Sequence, residues 1–167
     1  VWCLFPRRDE TTHNYFLSEN MIGIGFANLG DLSKVEPTLE AVKIKYAGTP
    51  NTSRSVSTLA SILHRFAHVA QIGDLVVYPP TWLERKIHVG RITSPYMYRR
   101  FSLKGYSNIR EVEWIDIFER DSFSKEALRG ISVNLAFFQV QSQQFISELL
   151  ARLGKNTENN VTHTFTT

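Results

Sequence analysis

The stretch IGDLVVYPPTWLERKIHVGRI, residues 72–92, decides the fold of this chain. Asp74 opens a short apolar run that predicts a buried strand ending at Tyr78. Two prolines follow and force a turn or a sheet edge, because proline cannot donate a hydrogen bond within a sheet. Residues 86–93 then alternate between two faces, which predicts a second strand. The stretch therefore predicts a hairpin around which the other elements are arranged.

The segments on either side of this hairpin predict further strands mixed with helices. Strands are predicted at residues 1–5, 21–26 and 110–118, and a strand or the start of a helix at 135–140. Helices are predicted at residues 11–20, 52–71, 124–128 and 143–153. Thr11 or Thr12 is expected to cap the first helix, and Ser33 with Glu36 predicts a capping box before another short helix. The pattern favours an α+β fold, a small and mostly antiparallel β-barrel with helices packed around it, over a doubly wound sheet. Residues 1–153 are expected to form one domain and residues 154–167 a polar tail or linker.

Composition and motifs narrow the classes of function. The chain has 167 residues, 43% hydrophobic and 21% charged, and no apolar run approaches the ~18 residues of a membrane span. Its single cysteine, Cys3, excludes an internal disulfide and predicts a cytoplasmic protein. Because they lie in the predicted strand at residues 1–5, Cys3 and Trp2 are expected to be core residues. Esterase, Walker and dinucleotide-binding motifs are absent, so we expect neither catalysis nor a cofactor. His64 and His68 have metal-compatible spacing without a third ligand, and we interpret them, like Glu111 and Glu113, as part of solvated faces.

Positive charge is concentrated in residues 82–110. This segment holds seven basic residues against one acid, a net charge of +6 in a chain whose total is +3. The basic residues alternate with aromatic ones, a pattern typical of proteins that bind phosphates and stack on bases. The phosphate-binding candidates are Arg85, Lys86, Arg99, Arg100 and Lys104.

The hairpin stretch resembles the central hairpin of the EVE and YTH domains of the PUA-like superfamily. In those domains Gly-Asp heads a strand, an aromatic or polar turn follows, and the next strand ends in a glycine. MIGIGFANLGDLS upstream and VEWIDIFERDSFSKEALRGI downstream resemble their flanking strands. The resemblance covers residues 1–153, and extends to the EVE-like domains fused to Mrr-type, modification-dependent restriction nucleases. It implies a reader domain that captures a flipped, modified base in an aromatic cage, with modified cytosine in DNA as the expected target.

The resemblance also assigns roles to particular residues. Phe26 falls at the family's first cage aromatic and Trp82 near its second, while Tyr78 could line the same mouth. From the residues alone, Trp82 in a proline-rich turn is either a partner contact or a cover for the end of the barrel, and Phe26 is either core or cage. Asn28 either turns the chain or reads a base edge. Asp31 either caps the following helix or accepts a hydrogen bond from a cytosine amino group.

Three other functions remain open from the sequence. The same aromatic residues would suit a reader of RNA modifications, which would be recognised through 2′-hydroxyl contacts. They would also suit a small-molecule sensor or a protein-interaction module. A stand-alone nuclease or hydrolase would need a convergent set of acid, base or metal-binding residues, and the sequence indicates none.

Overall fold

The structure, a computed structural model, describes residues 1–5, 8–25, 29–47, 56–99 and 106–164, with side chains through residue 156. Across these residues the strands are β1 (Trp2–Leu4), β2 (Met21–Ile24), β3 (Leu75–Tyr78), β4 (Lys86–Ile92), β5 (Met97–Tyr98), β6 (Asn108–Glu119) and β7 (Phe137–Gln139). The α-helices there are α1 (Glu10–Ser18), α2 (Leu39–Ala47), α3 (Val56–His64), α4 (Lys125–Arg129) and α5 (Gln143–Thr164). A π-helical turn, Arg65–Val69, continues α3.

The strands form one strongly curled sheet, shaped as a half-barrel, with helices packed around it. Their order is β2-β6-β4-β3-β1-β7, and β5 also pairs with β6. Among the described strands, β1 and β3 run parallel and the other pairs are antiparallel. The predicted α+β class and mostly antiparallel sheet are therefore confirmed. Within the described residues, no helix combines the length and apolar character needed to cross a membrane.

Both faces of the central strands are covered, which explains their uninterrupted apolar sequences. Val76 and Tyr78 point into a large core shared with α1, α2 and α3, whereas Val77 points into a second core against α4 and α5. Cys3 is fully buried in the second core, as its strand position predicted, and burial raises the pKa of its thiol. Trp2, also predicted to be core, is buried in the first.

The Gly-Asp pair at the head of β3 has a structural role. Gly73 adopts a φ of +96°, which favours glycine, and its amide donates to the carbonyl of Ile92 at 2.8 Å. The Asp74 carboxylate accepts hydrogen bonds from the Trp2 indole at 3.0 Å and from the Gln71 amide at 2.9 Å. This pair therefore closes the β3–β4 hairpin and ties β1 to it.

A bulge in the pairing of β4 with β6 directs a large side chain inward. Val89 pairs with Asp116 and Gly90 with Trp114, so Ile115 is the extra residue. A Cβ on Gly90 would lie 3.0 Å from the Trp114 ring, which therefore packs directly over the glycine. The Trp114 indole donates to the carbonyl of Phe16 at 3.0 Å and fixes the ring against α1.

The starts of two helices differ from those predicted. Asp9, rather than Thr11 or Thr12, caps α1 by accepting a hydrogen bond from the Thr11 amide. The predicted capping box at Ser33 and Glu36 is wrong. Asp31 instead caps a 3₁₀ turn at Leu32–Lys34, and α2 begins later, after Thr38. Short polar side chains that are neighbours in sequence compete for the same backbone amides, and the sequence alone does not decide between them.

The last helix is longer than predicted. The expected end at residue 153 is passed and α5 continues to Thr164, so most of the expected polar tail is helical. Asn156 donates a hydrogen bond to the Asp116 carboxylate of β6, which anchors the beginning of this extension to the sheet.

Arg110 is a buried cation at the centre of the fold. Its guanidinium donates to the carbonyls of Phe66 at 2.9 Å, Ala70 at 2.8 Å and Ser94 at 3.1 Å. Two of these carbonyls belong to the end of the helix that begins at α3, where backbone acceptors lack partners within the helix. Burial lowers the pKa of the guanidinium, opposed by Asp74. Arg110 therefore joins β6 to the helix end and the β4–β5 connection.

Replacing Arg110 should destabilise the fold severely. Arg110→Met leaves buried carbonyls without donors, and we expect the free energy of unfolding to fall by about 3 kcal/mol. The matched control, Lys86→Met, changes an exposed cation and should stay within about 0.5 kcal/mol. Urea denaturation of both variants measures the difference, and equal losses would contradict the structural role of Arg110.

Candidate functional site

Two histidines and a glutamate from distant parts of the chain meet at one end of the β3–β4 hairpin. We call His13, Glu84 and His88 the His–Glu–His cluster. Their potential ligand atoms all lie within 4.8 Å of one another. The aromatic rings around them belong to Tyr78, Trp82 and Trp114.

The register of the hairpin assembles the cluster. Tyr78 pairs with His88 across the two strands, so their side chains share one face. In the turn between them, the amides of Leu83 and Glu84 both donate to the carbonyl of Pro80 at 3.0 Å. This turn folds Glu84 back over His88. From α1, His13 reaches the same point and completes the cluster.

Hydrogen bonds orient each member of the cluster. Glu84 Oε1 is hydrogen-bonded to His88 Nε2 and lies 4.0 Å from His13 Nε2. On the far side of its ring, His13 Nδ1 is 2.9 Å from the Tyr78 hydroxyl. The histidine side chains are only 6% and 4% exposed, whereas that of Glu84 is 29% exposed. Glu84 is therefore the member through which solvent or a ligand reaches the cluster.

Burial shapes the protonation of the cluster. It lowers the pKa of His13, an effect that Glu84 opposes and His88 increases. Burial also raises the pKa of Tyr78, with Glu84 adding to the shift. His13 and Tyr78 are consequently neutral at pH 7, and a neutral imidazole keeps a lone pair available for a proton or a metal ion.

Trp82 lies at the edge of the cluster, with its ring edge-on to His13 at 6.4 Å between ring centroids. Its side chain is half-buried, but its Nε1 is buried and has no hydrogen-bond acceptor in the described part of the chain. An indole N–H so placed is uncommon, because a buried donor without a partner costs about 1–3 kcal/mol. The partly exposed Glu84 carboxylate belongs to the same turn. We call Trp82 and Glu84 together the turn edge.

Of the three predicted cage residues, Tyr78 and Trp82 lie among the described residues. Phe26 and Asn28 lie outside the described residues. Tyr78 has no exposed surface and is hydrogen-bonded to His13, so it lies behind the cluster and does not line a mouth. The Asp31 carboxylate accepts from the amide and hydroxyl of Ser33, which is the capping role.

The positive segment is less positive on the folded surface than in the sequence. Arg85 pairs with Asp121, and Arg99 lies 3.5 Å from Glu111. Lys86 and Arg91 are exposed, but β6 places Glu119 and Glu113 in the paired positions opposite them. Arg110 is buried, and Arg100 and Lys104 lie outside the described residues. Acids of β6 and Asp121, which follows it, therefore offset much of the positive charge of the described residues between Arg85 and Arg99.

Sequence reasoning missed the cluster because its members are far apart in the chain. Glu84 and His88 are four residues apart, which is a weak local signal, and His13 offers none. The second histidine pair also differs from the prediction. His64 and His68 are half-buried, and one nitrogen of each is buried without a partner among the described residues, rather than lying on a solvated face.

A protein-family model matches residues 2–133 of the chain. The chain belongs to the DUF8426 family, a domain of unknown function. No curated protein and no solved structure matches it. The matched region contains the whole His–Glu–His cluster and the turn edge, and it ends before β7 and α5.

The buried histidines predict a loss of stability in mild acid. The pKa values of His13, His64 and His68 are all lowered from 6.5, mainly by burial. Below about pH 6.5 the unfolded chain therefore binds more protons than the folded one, so the free energy of unfolding should fall as pH falls. His13→Gln should reduce this slope by up to about 1.4 kcal/mol per pH unit, the contribution of one proton.

Urea denaturation from about pH 5 to 7.5 measures this slope. Asn14→Gln, an exposed neighbour on the same helix that does not titrate, should leave the slope unchanged. If the free energy of unfolding of His13→Gln depended on pH as strongly as that of the parent, His13 would not be held neutral in the folded state.

Proposed function

We propose that this chain is a nucleic-acid reader domain that captures a flipped, modified base at the turn edge, without catalysis of its own. Its target is a modified cytosine in DNA, and RNA is the alternative. The EVE-like resemblance and the curled, mostly antiparallel sheet support a PUA-like architecture. The resemblance also supports a role as the targeting module of a larger cytoplasmic defence protein, fused to or working with a nuclease.

The observation that carries the proposal is the unused donor of Trp82 beside the accessible acceptor of Glu84. The indole N–H is buried and has no acceptor in the described part of the chain, and Glu84 is 29% exposed. After a rotation of the half-buried Trp82 side chain that exposes its indole N–H, an incoming ring could accept from that N–H and donate an amino hydrogen to Glu84. The pairing edge of cytosine has this combination, because its amino group donates and its O2 and N3 accept.

The energetics of base capture also fit this edge. Removing a base from a duplex costs a few kcal/mol, which contacts with the extruded base must offset. A base on the face of the Trp82 ring would gain about 1–3 kcal/mol from stacking, whereas a base edge-on to the ring would accept from its N–H and recover part of the desolvation cost of that donor. Sequence-independent attraction would come from the predicted phosphate-binding cations Arg85, Lys86, Arg99, Arg100 and Lys104, of which Arg85 and Lys86 directly follow the turn.

Removing the Trp82 ring should reduce binding selectively. Trp82→Ala should weaken binding to the preferred duplex by about 1–3 kcal/mol, or roughly 5- to 150-fold, and spare binding to unmodified duplex. Trp82→Phe keeps a ring but removes the donor, and should lose about 1 kcal/mol of that selectivity. Leu83→Ala, an exposed neighbour in the same turn, is the matched control and should bind as the parent does.

The measurement is a binding panel of one duplex with cytosine, 5-methylcytosine, 5-hydroxymethylcytosine, adenine or N6-methyladenine at a central position, with matching RNA strands. Thermal melts on the same samples separate binding from folding. If Trp82 only covers the end of the sheet, Trp82→Ala should lose about 3–5 kcal/mol of stability and its binding loss should follow unfolding. A folded Trp82→Ala variant with parental selectivity would contradict base capture at the turn edge.

The ion pair between Arg99 and Glu111 of β6 predicts opposite effects from substitutions on its two sides. Arg99→Ala with Arg100→Ala should weaken binding to every duplex alike and reduce the salt slope by about one for each phosphate that is no longer neutralised. Glu111→Gln frees Arg99 from the carboxylate 3.5 Å away, so it should strengthen binding to every duplex without changing selectivity. Titrations at several salt concentrations measure both, and parental affinity and slope in the double variant would remove these arginines from the interface.

A further inference from the structure

We propose that His13, Glu84 and His88 form a binding site for a single divalent transition-metal ion of the zinc type. The inference goes beyond base capture and does not depend on it. It rests on the convergence of three ligand-bearing side chains from α1, the β3–β4 turn and β4.

The ligand types and their spacing suit such an ion. Two imidazoles and one carboxylate are a common three-ligand set for zinc, with bonds of about 2.0–2.2 Å. Tetrahedral geometry at that bond length separates neighbouring ligand atoms by about 3.3 Å. The three ligand atoms here already lie within 4.8 Å of one another, and His13 Nε2 is 4.0 Å from Glu84 Oε1. An ion would enter between Glu84 and His88 in place of the hydrogen bond that joins them, with a small opening of that pair.

The surroundings of His13 favour metal binding. Its Nδ1 is 2.9 Å from the Tyr78 hydroxyl, and when Nδ1–H donates to that oxygen, the Nε2 lone pair faces Glu84. Histidines that bind metals usually have such a partner on the second ring nitrogen, because it fixes the tautomer and the ring orientation. Tyr78 is fully buried and therefore holds this arrangement rigidly.

The protein supplies three ligands and leaves a position open. Glu84 is the accessible member of the cluster, so the fourth position faces the solvent side. A water molecule or a donor atom of a ligand could occupy it, as in zinc sites that are not purely structural. By contrast, the His64–His68 pair has no third His, Cys, Asp or Glu ligand among the described residues, so it does not offer an equivalent site.

Metal titration of the chelator-treated chain tests the proposal without nucleic acid, so its outcome is independent of base capture. We expect one equivalent of Co²⁺ to bind with a visible absorption band typical of low coordination number, and Zn²⁺ to displace it. Calorimetry should show one Zn²⁺ site, and Zn²⁺ should raise the melting temperature. Glu84→Gln replaces a carboxylate ligand with an amide at a half-exposed position, and should weaken Zn²⁺ binding by at least about tenfold.

His68→Gln is the matched control, because it removes a half-buried histidine outside the cluster and should bind Zn²⁺ as the parent does. Circular dichroism verifies that each variant is folded. His88→Asn removes a second candidate ligand and should also abolish Zn²⁺ binding. If that variant does not fold, the comparison of Glu84→Gln with His68→Gln still decides the question. Absence of Zn²⁺ binding, parental binding in Glu84→Gln, or loss of binding in His68→Gln would each overturn the proposal.

Discussion

The antiparallel pairing of Tyr78 with His88 is the constraint on which the site depends. It places an imidazole and a phenol on the same face of β3 and β4, and the turn between the strands brings Glu84 back to that face. A shift of one residue would turn His88 away and bring Ile87 inward, because neighbouring side chains in a strand point to opposite faces. The Gly73–Ile92 and Asp74–Trp2 hydrogen bonds oppose such a shift at the other end of the hairpin.

The pairing of strands, as well as the sequence, determines how much net positive charge this protein exposes. The basic residues of β4 and the following connection face acids from β6, and Arg110 is used inside the fold to satisfy carbonyls. A domain with this arrangement would attract nucleic acid weakly without a specific contact, since each phosphate must compete with a carboxylate. Discrimination between bases would then depend on contacts at the turn edge more than on the electrostatic field of the surrounding surface.

Glu84 takes part in both the proposed metal site and the proposed base contact, so occupation of one changes the chemistry of the other. A carboxylate that holds a metal ion is a weaker acceptor for a base amino group, because the ion withdraws its charge. A metal at the cluster and a base at the turn edge would therefore influence each other's affinity, by the same factor in both directions. Glu84 is half-exposed and lies in the same turn as Trp82, whose Nε1 has no acceptor in the part of the chain that the structure describes, and this position allows either role.

The sequence by itself determined the hairpin, the mixed fold class and most strands and helices, because apolar periodicity and turn residues act over short distances. It also predicted the burial of Trp2 and Cys3 from their places in an apolar strand. Only the tertiary structure decided that Tyr78 is buried, that Arg110 is a core residue, and that α5 continues beyond residue 153. The same is true of the His–Glu–His cluster. His13 and His88 carry no mutual signal in the chain, because their proximity follows from α1 packing across the face that the β3–β4 register creates.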